Sequence, residues 1–195
     1  MQNSFLRNVA RLVLMDRGFD VRVKTGQGYL PGARLIAVKG RKKIDVAVKA
    51  SQQRALSFTW QPDKGWRTLR FVDLVVAVVP GEEDDGAADV FGFEQKALQR
   101  KFDRARKGLE SAERSVGFNM PIFIPIDEVS RKNLGHNVAN LKKLAIWPVH
   151  LNAQQLAELI ERTKENYVDQ FRRRFAAENE VDVSQVMISI VGKPK

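Results

Sequence analysis

Residues 71–79 constrain this chain most, because they are almost wholly apolar apart from Asp73. Such a run reads as a central strand buried on both faces. Residues 88–93 form a short strand that pairs beside it. Upstream, residues 33–39 and 43–50 are strands joined at Gly40 and Arg41, a hairpin signal. In the second of these, Ile44, Val46 and Val48 make the core face. Asp45, Ala47 and Lys49 share the opposite face, since side chains alternate with period two.

The flanking segments follow helical or extended spacing. Residues 4–17 read as a helix capped by Ser4, with Phe5, Val9, Leu12 and Val13 on one face and Gly18 as its stop. Residues 19–24 alternate as a strand, and 25–32, with three glycines and Pro31, are a loop. Residues 51–70 place Phe58, Trp60 and Trp66 around a Pro62-Asp63-Lys64-Gly65 turn, as an inserted hairpin or an ordered loop. Residues 93–111 predict a helix with Leu98, Phe102, Ala105 and Leu109 on one face and Lys96, Arg100, Arg104 and Lys107 on another. Residues 121–126 read as an edge strand between two prolines.

Further on, residues 136–144 are expected as a short helix and 146–149 as extended chain. Asn152 caps a helix to about residue 177, with Leu156, Leu159, Ile160, Val168 and Phe171 as its buried stripe, and residues 186–191 form a last strand. Neither a repeat nor a linker stands out, so residues 1–195 are expected as a single domain. Within it, 1–126 form a core and 127–195 a C-terminal extension packed on it.

Composition removes several function classes. Without cysteine there is no disulfide scaffold, zinc ribbon or thiol nucleophile. His136 and His150 are far apart and lack partners at metal-ligand spacing. No apolar run approaches the roughly 18–20 residues that span a bilayer. The first eight residues lack the pattern of an export signal, which predicts a cytoplasmic protein with no membrane partner.

The net charge is +10, and it is concentrated: residues 1–72 hold 15 basic and 4 acidic side chains, residues 73–195 hold 18 and 19. A local surplus of that size attracts phosphate backbones. Lys39, Arg41, Lys42 and Lys43 cluster at the hairpin tip, and Lys49, Gln52, Gln53 and Arg54 close the following strand and loop. Aromatic residues interleaved with Arg54, Lys64, Arg67 and Arg70 can stack bases, or can simply pack beneath the inserted hairpin.

Helix, strand, glycine-rich loop, hairpin and later buried strand follow in the order of the PD-(D/E)XK, or restriction-endonuclease-like, superfamily. The chain resembles it over roughly residues 4–80. Val9-Ala10-Arg11-Leu12-Val13-Leu14-Met15-Asp16-Arg17-Gly18-Phe19-Asp20-Val21 is similar to the opening helix and first strand. Gly32-Ala33-Arg34-Leu35-Ile36-Ala37 is similar to the second strand, and Ile44-Asp45-Val46-Ala47-Val48-Lys49 to the third. The resemblance implies a three-layer α/β/α domain with a mixed sheet, extended by C-terminal elements. It also implies a site in which a second-strand aspartate and a third-strand acid two residues before a lysine hold Mg²⁺, often with a first-helix glutamate. Here the acid positions read Arg34 and Ala47, the helix position falls near Arg7 or Asn8, and only Lys49 stands in its expected place.

Three functions stay open. The first is a DNA-binding protein with a degenerate nuclease site and no cofactor. It would contact double-stranded DNA through Arg34, Lys39, Arg41, Lys42, Lys43, Lys49, Gln52 and Arg54, with Arg100 and Arg104 from the helix, as a recognition subunit in defence, mobile-element or repair systems. The second is an active Mg²⁺-dependent endonuclease with a rearranged site, Asp45 and Asp73 holding the metal beside Lys49. The third is a non-catalytic scaffold or homodimer.

Overall fold

The computed structural model describes residues 3–23, 34–81, 86–111, 121–127 and 140–187. Its strands are β1 (Asp20–Val23), β2 (Arg34–Lys39), β3 (Lys42–Ala50), β4 (Ala55–Gln61), β5 (Gly65–Trp66), β6 (Leu74–Pro80), β7 (Ala88–Glu94), β8 (Pro121–Pro125) and β9 (Trp147–Leu151). Its α-helices are α1 (Asn3–Asp16), α2 (Gln95–Ser111) and α3 (Ala153–Glu178). Six strands form a mixed sheet in the order β1-β2-β3-β6-β7-β9, and β5-β4-β8 form a smaller one. In the larger sheet β3 and β6 are parallel and every other pairing is antiparallel. The β3-to-β6 crossover carries β4, β5 and a 3-10 turn at Leu69–Phe71.

Strand alternation sorts the core into two clusters. Val46, Val48, Val76 and Val78 face α1 and α3, while Ala47, Val75, Ala77, Phe91 and Phe93 face α2 and the smaller sheet. Three layers result, as expected, but one outer layer is only partly helical: α2 shares it with β4, β5 and β8. Phe102 of α2 anchors that layer, with its ring 4.9 Å from Phe58 and 5.4 Å from Trp66, both edge-on. Such ring pairs contribute about 0.5–1.5 kcal/mol each beyond the area they bury.

The helices begin and end for local reasons. Leu6, Val9, Ala10, Val13 and Leu14 recur on one face of α1 and are buried. The helix stops at Gly18, whose φ of +81° lets its N–H reach the Met15 carbonyl at 2.8 Å. In α3, Asn152 Oδ1 accepts from the Gln155 backbone N–H, and the Gln155 side chain accepts from the Asn152 N–H, a reciprocal cap. On β7, Gly92 leaves room for Trp147 of the neighbouring strand: a Cβ there would lie 2.1 Å from the indole.

Several expectations are corrected. Residues 71–73 are not in the central strand, because Phe71 closes the 3-10 turn and β6 begins at Leu74. Asp73 is consequently exposed at the strand mouth. Phe171 does not belong to the buried stripe of α3. It is 43% exposed and stacks on Phe175, while Thr163 takes a buried place in the stripe by donating to the Leu159 carbonyl. Residues 186 and 187 are not strand, and of the helix expected at 136–144 the described part is a 3-10 turn, Leu141–Leu144; residues 136–139, 188–191 and the loop at 25–32 lie outside the described residues. No helix among the described residues is long and apolar enough to cross a membrane.

Candidate nucleic-acid interface

The hairpin register puts Arg34 of β2 directly opposite Ala47 of β3, the two positions where the resemblance expects acids. Ala47 is 2% exposed and packs in the α2-facing core, so apolar neighbours surround the place of an acid. Two residues on, Lys49 lies beside Ala77 of β6 with its ammonium 4.6 Å over the Phe58 ring. Burial holds that amine below the ordinary lysine value.

Asp45 and Asp73 are brought together at the mouth of the parallel pair. The Asp45 N–H donates to Asp73 Oδ2 at 2.8 Å, and the Asp73 N–H donates to the Asp45 carbonyl at 2.8 Å. Asp73 thus satisfies a backbone donor at the sheet end. Lys49 sits four residues from Asp45 along the strand, about 13 Å. Among the described residues, no group of three His, Asp or Glu side chains is arranged to hold a metal ion. With one Asp73 oxygen taken by an amide and alanine at the third-strand acid position, these donors do not fit a Mg²⁺ site, which needs several oxygen ligands.

The expected cations fall into two groups. Arg41, Lys42 and Lys43 are exposed at the β2–β3 tip, two to four residues before Asp45, and Arg100 and Arg104 are exposed on α2 beside Lys96 and Lys107. Gln52 is exposed on the loop after β3. Lys39 is also exposed, and its ammonium donates to the Arg17 carbonyl at 2.8 Å, at the C-terminal end of α1, and stands 5.7 Å over the Phe19 ring. The Lys101 amine, between the exposed rows, is lowered by partial burial and then by Arg104.

Arg54 is placed differently from its expected role. Its Nε donates to Asp127 Oδ2 at 2.6 Å, one Nη to Asp89 Oδ2 at 2.7 Å, and it also bonds the Pro80 carbonyl. Burial opposes the charge, but the hydrogen bonds and attraction from Asp127 and Asp89 outweigh it and raise the Arg54 pKa. The other Asp89 oxygen lies 2.6 Å from His150 Nδ1 on β9. Asp89 and Asp127 carry no sequence signal of their own; only their long-range pairing reveals them. Asp103 and Arg106 on α2 are further polar residues absent from the expectations, and Asp103 accepts the Trp66 indole N–H at 2.8 Å.

The fold and this geometry define a mixed α/β protein with a basic hairpin tip beside a sheet mouth that carries two aspartates, and a partly buried lysine farther along the same strand. No protein-family model matches the chain, and no curated protein matches it. Among solved structures it is similar to a bacterial homing endonuclease, I-Ssp6803I, at a TM-score of 0.39 and 14% sequence identity, over 69% of this chain and 81% of that one.

Proposed function

We propose that this chain binds duplex DNA without cutting it, as a nuclease-like core whose metal site is degenerate. The observation that carries the reading is the register of Arg34 against the buried Ala47, with Lys49 retained, beside the exposed tip Arg41-Lys42-Lys43. Arginine and alanine in the two acid positions remove the carboxylates that would hold Mg²⁺, while the cations that meet phosphate remain. The duplex is held by Arg41, Lys42 and Lys43, with Arg100 and Arg104 of α2 as a second contact. Arg54 serves the framework, because its guanidinium is committed to Asp89 and Asp127.

Incubation with labelled duplex and Mg²⁺, read by both binding and product gels, tests this. The expected result is a retained complex with intact DNA. Metal-dependent cleavage that disappears in Asp73→Ala would replace the reading with a rearranged endonuclease built on Asp45, Asp73 and Lys49.

A further inference from the structure

Between the β4–β5 hairpin and α2 lies an open cleft of about 430 Å³, lined from the strand side by Trp60, Lys64 and Arg70 and from the helix by Gln99, Arg106 and Lys107. It exists because α2 turns Leu98, Phe102 and Ala105 to the core, which leaves the neighbouring helix flank against the hairpin. The three aromatic residues of this region divide between two roles. Phe58 and Trp66 are 1% and 2% exposed and belong to the core, whereas Trp60 is only partly buried and lines the cleft, its ring 5.2 Å from that of Trp66 in an edge-on pair.

The lining is set up for an anion with a flat apolar part. Its acid, Asp103, accepts the Trp66 indole N–H through Oδ1, and it is outnumbered by the cations Lys64, Arg70, Arg106 and Lys107. Arg106 is fixed, with its guanidinium 4.4 Å over the Trp60 ring and an ion pair to Glu110. Arg70 is oriented by donating to the Lys64 carbonyl at 2.7 Å and lies 4.4 Å over Phe71. Lys64, Arg70 and Lys107 are exposed, and none is ion-paired with a carboxylate among the described residues. Gln99 accepts from the Gln95 amide, which leaves its own amide hydrogens for another acceptor.

We infer that this cleft takes one unpaired nucleotide of a single strand, with the base against Trp60 and the Arg106 guanidinium stacked on it, and the phosphate met by Lys64, Arg70 and Lys107. The volume falls in the range of small-molecule pockets, roughly 300–1,000 Å³, which admits a nucleotide and excludes a duplex. A bare phosphate would make no use of the indole; base stacking on it is sequence-tolerant and supplies affinity together with the cations. The inference rests on the nucleic-acid reading above and extends it from duplex to single strand. The sugar is left open by these contacts, so DNA and RNA are separate arms of the test.

The test uses the full chain with labelled oligothymidylate and oligouridylate of about five nucleotides and a blunt duplex, at about 50 mM salt. Trp60→Leu and the surface variant Lys107→Ala are each expected to weaken oligonucleotide binding about tenfold and to leave duplex binding unchanged. Trp60→Phe, which keeps a ring, retains most of it, and Lys42→Ala/Lys43→Ala shows the opposite pattern. A wild-type chain that binds duplex but neither oligonucleotide overturns the cleft assignment alone. So does oligonucleotide binding that is indifferent to Trp60→Leu and Lys107→Ala. A chain that binds no nucleic acid overturns the function proposed above, and the cleft assignment with it.

Discussion

Lys49 keeps its ammonium against the Phe58 ring, and burial depresses its pKa. The sign of the consequence follows from proton counting. Between the lowered folded value and the ordinary lysine value of about 10.4, the unfolded chain binds more protons than the folded one, so stability rises with pH across that window. Lys49→Met removes the contribution. Urea unfolding from about pH 8 to about pH 10.5 should show a smaller gain with pH in Lys49→Met than in the wild type; equal gains would mean that the amine is solvated in the folded chain. The position of Lys49 is legible from the alternation of β3 and from the resemblance. Its burial is not, because Phe58 reaches it from the crossover. Asp73 shows the reverse: its type and neighbourhood are readable, but an apolar run on both sides suggests burial. Only the backbone bonds to Asp45 reveal it as a cap at a strand mouth.

At the scale of elements, Arg54 ties the loop after β3 to β7 through Asp89 and to the end of β8 through Asp127, partners 35 and 73 residues away in sequence. Its side chain is 17% exposed, against 11% for Asp89 and 21% for Asp127. Removing the cation takes from two poorly solvated carboxylates the partner they share, and leaves Asp89 with His150 and Asp127 with the Lys142 ammonium at 3.9 Å. Arg54→Ala is expected to destabilise the chain by about 2–4 kcal/mol, read by urea denaturation, and a loss below about 0.5 kcal/mol would place the cluster with ordinary surface pairs. No local pattern could have separated Arg54 from the neighbouring phosphate-type cations, since the distinction lies in two distant acids. Elements governed by local chemistry are far more legible. Alternation of Ile44, Val46 and Val48 defines the face of β3, and Asn152 with Gln155 marks the start of α3 within one residue. The far half of α3 departs from its periodicity: Phe171 and Phe175 sit on a helical spacing that suggests burial yet are 43% and 44% exposed.

Across the whole molecule, the layer order follows from hydrophobic patterning, because β6 is apolar on both faces and must be covered twice. The composition of the second cover is less accessible: β4 and β8, readable singly as hairpin and edge strand, are 60 residues apart, and their pairing adds a small sheet to a layer that the resemblance implies as helical. The charge asymmetry is wholly legible, and it becomes functional information once the exposed cations Arg41, Lys42 and Lys43 are separated from Arg54, which Asp89 and Asp127 hold. The central claim is that this exposed set meets phosphate. Its most direct test is the dependence of duplex affinity on salt, compared between the wild type and Lys42→Ala/Lys43→Ala. Removing one cation that neutralises a phosphate lowers the slope of log affinity against log salt by about 0.9, so the double variant should bind more weakly with a slope shallower by about 2. Duplex affinity insensitive to salt, or a slope unchanged by the double substitution, would contradict the account.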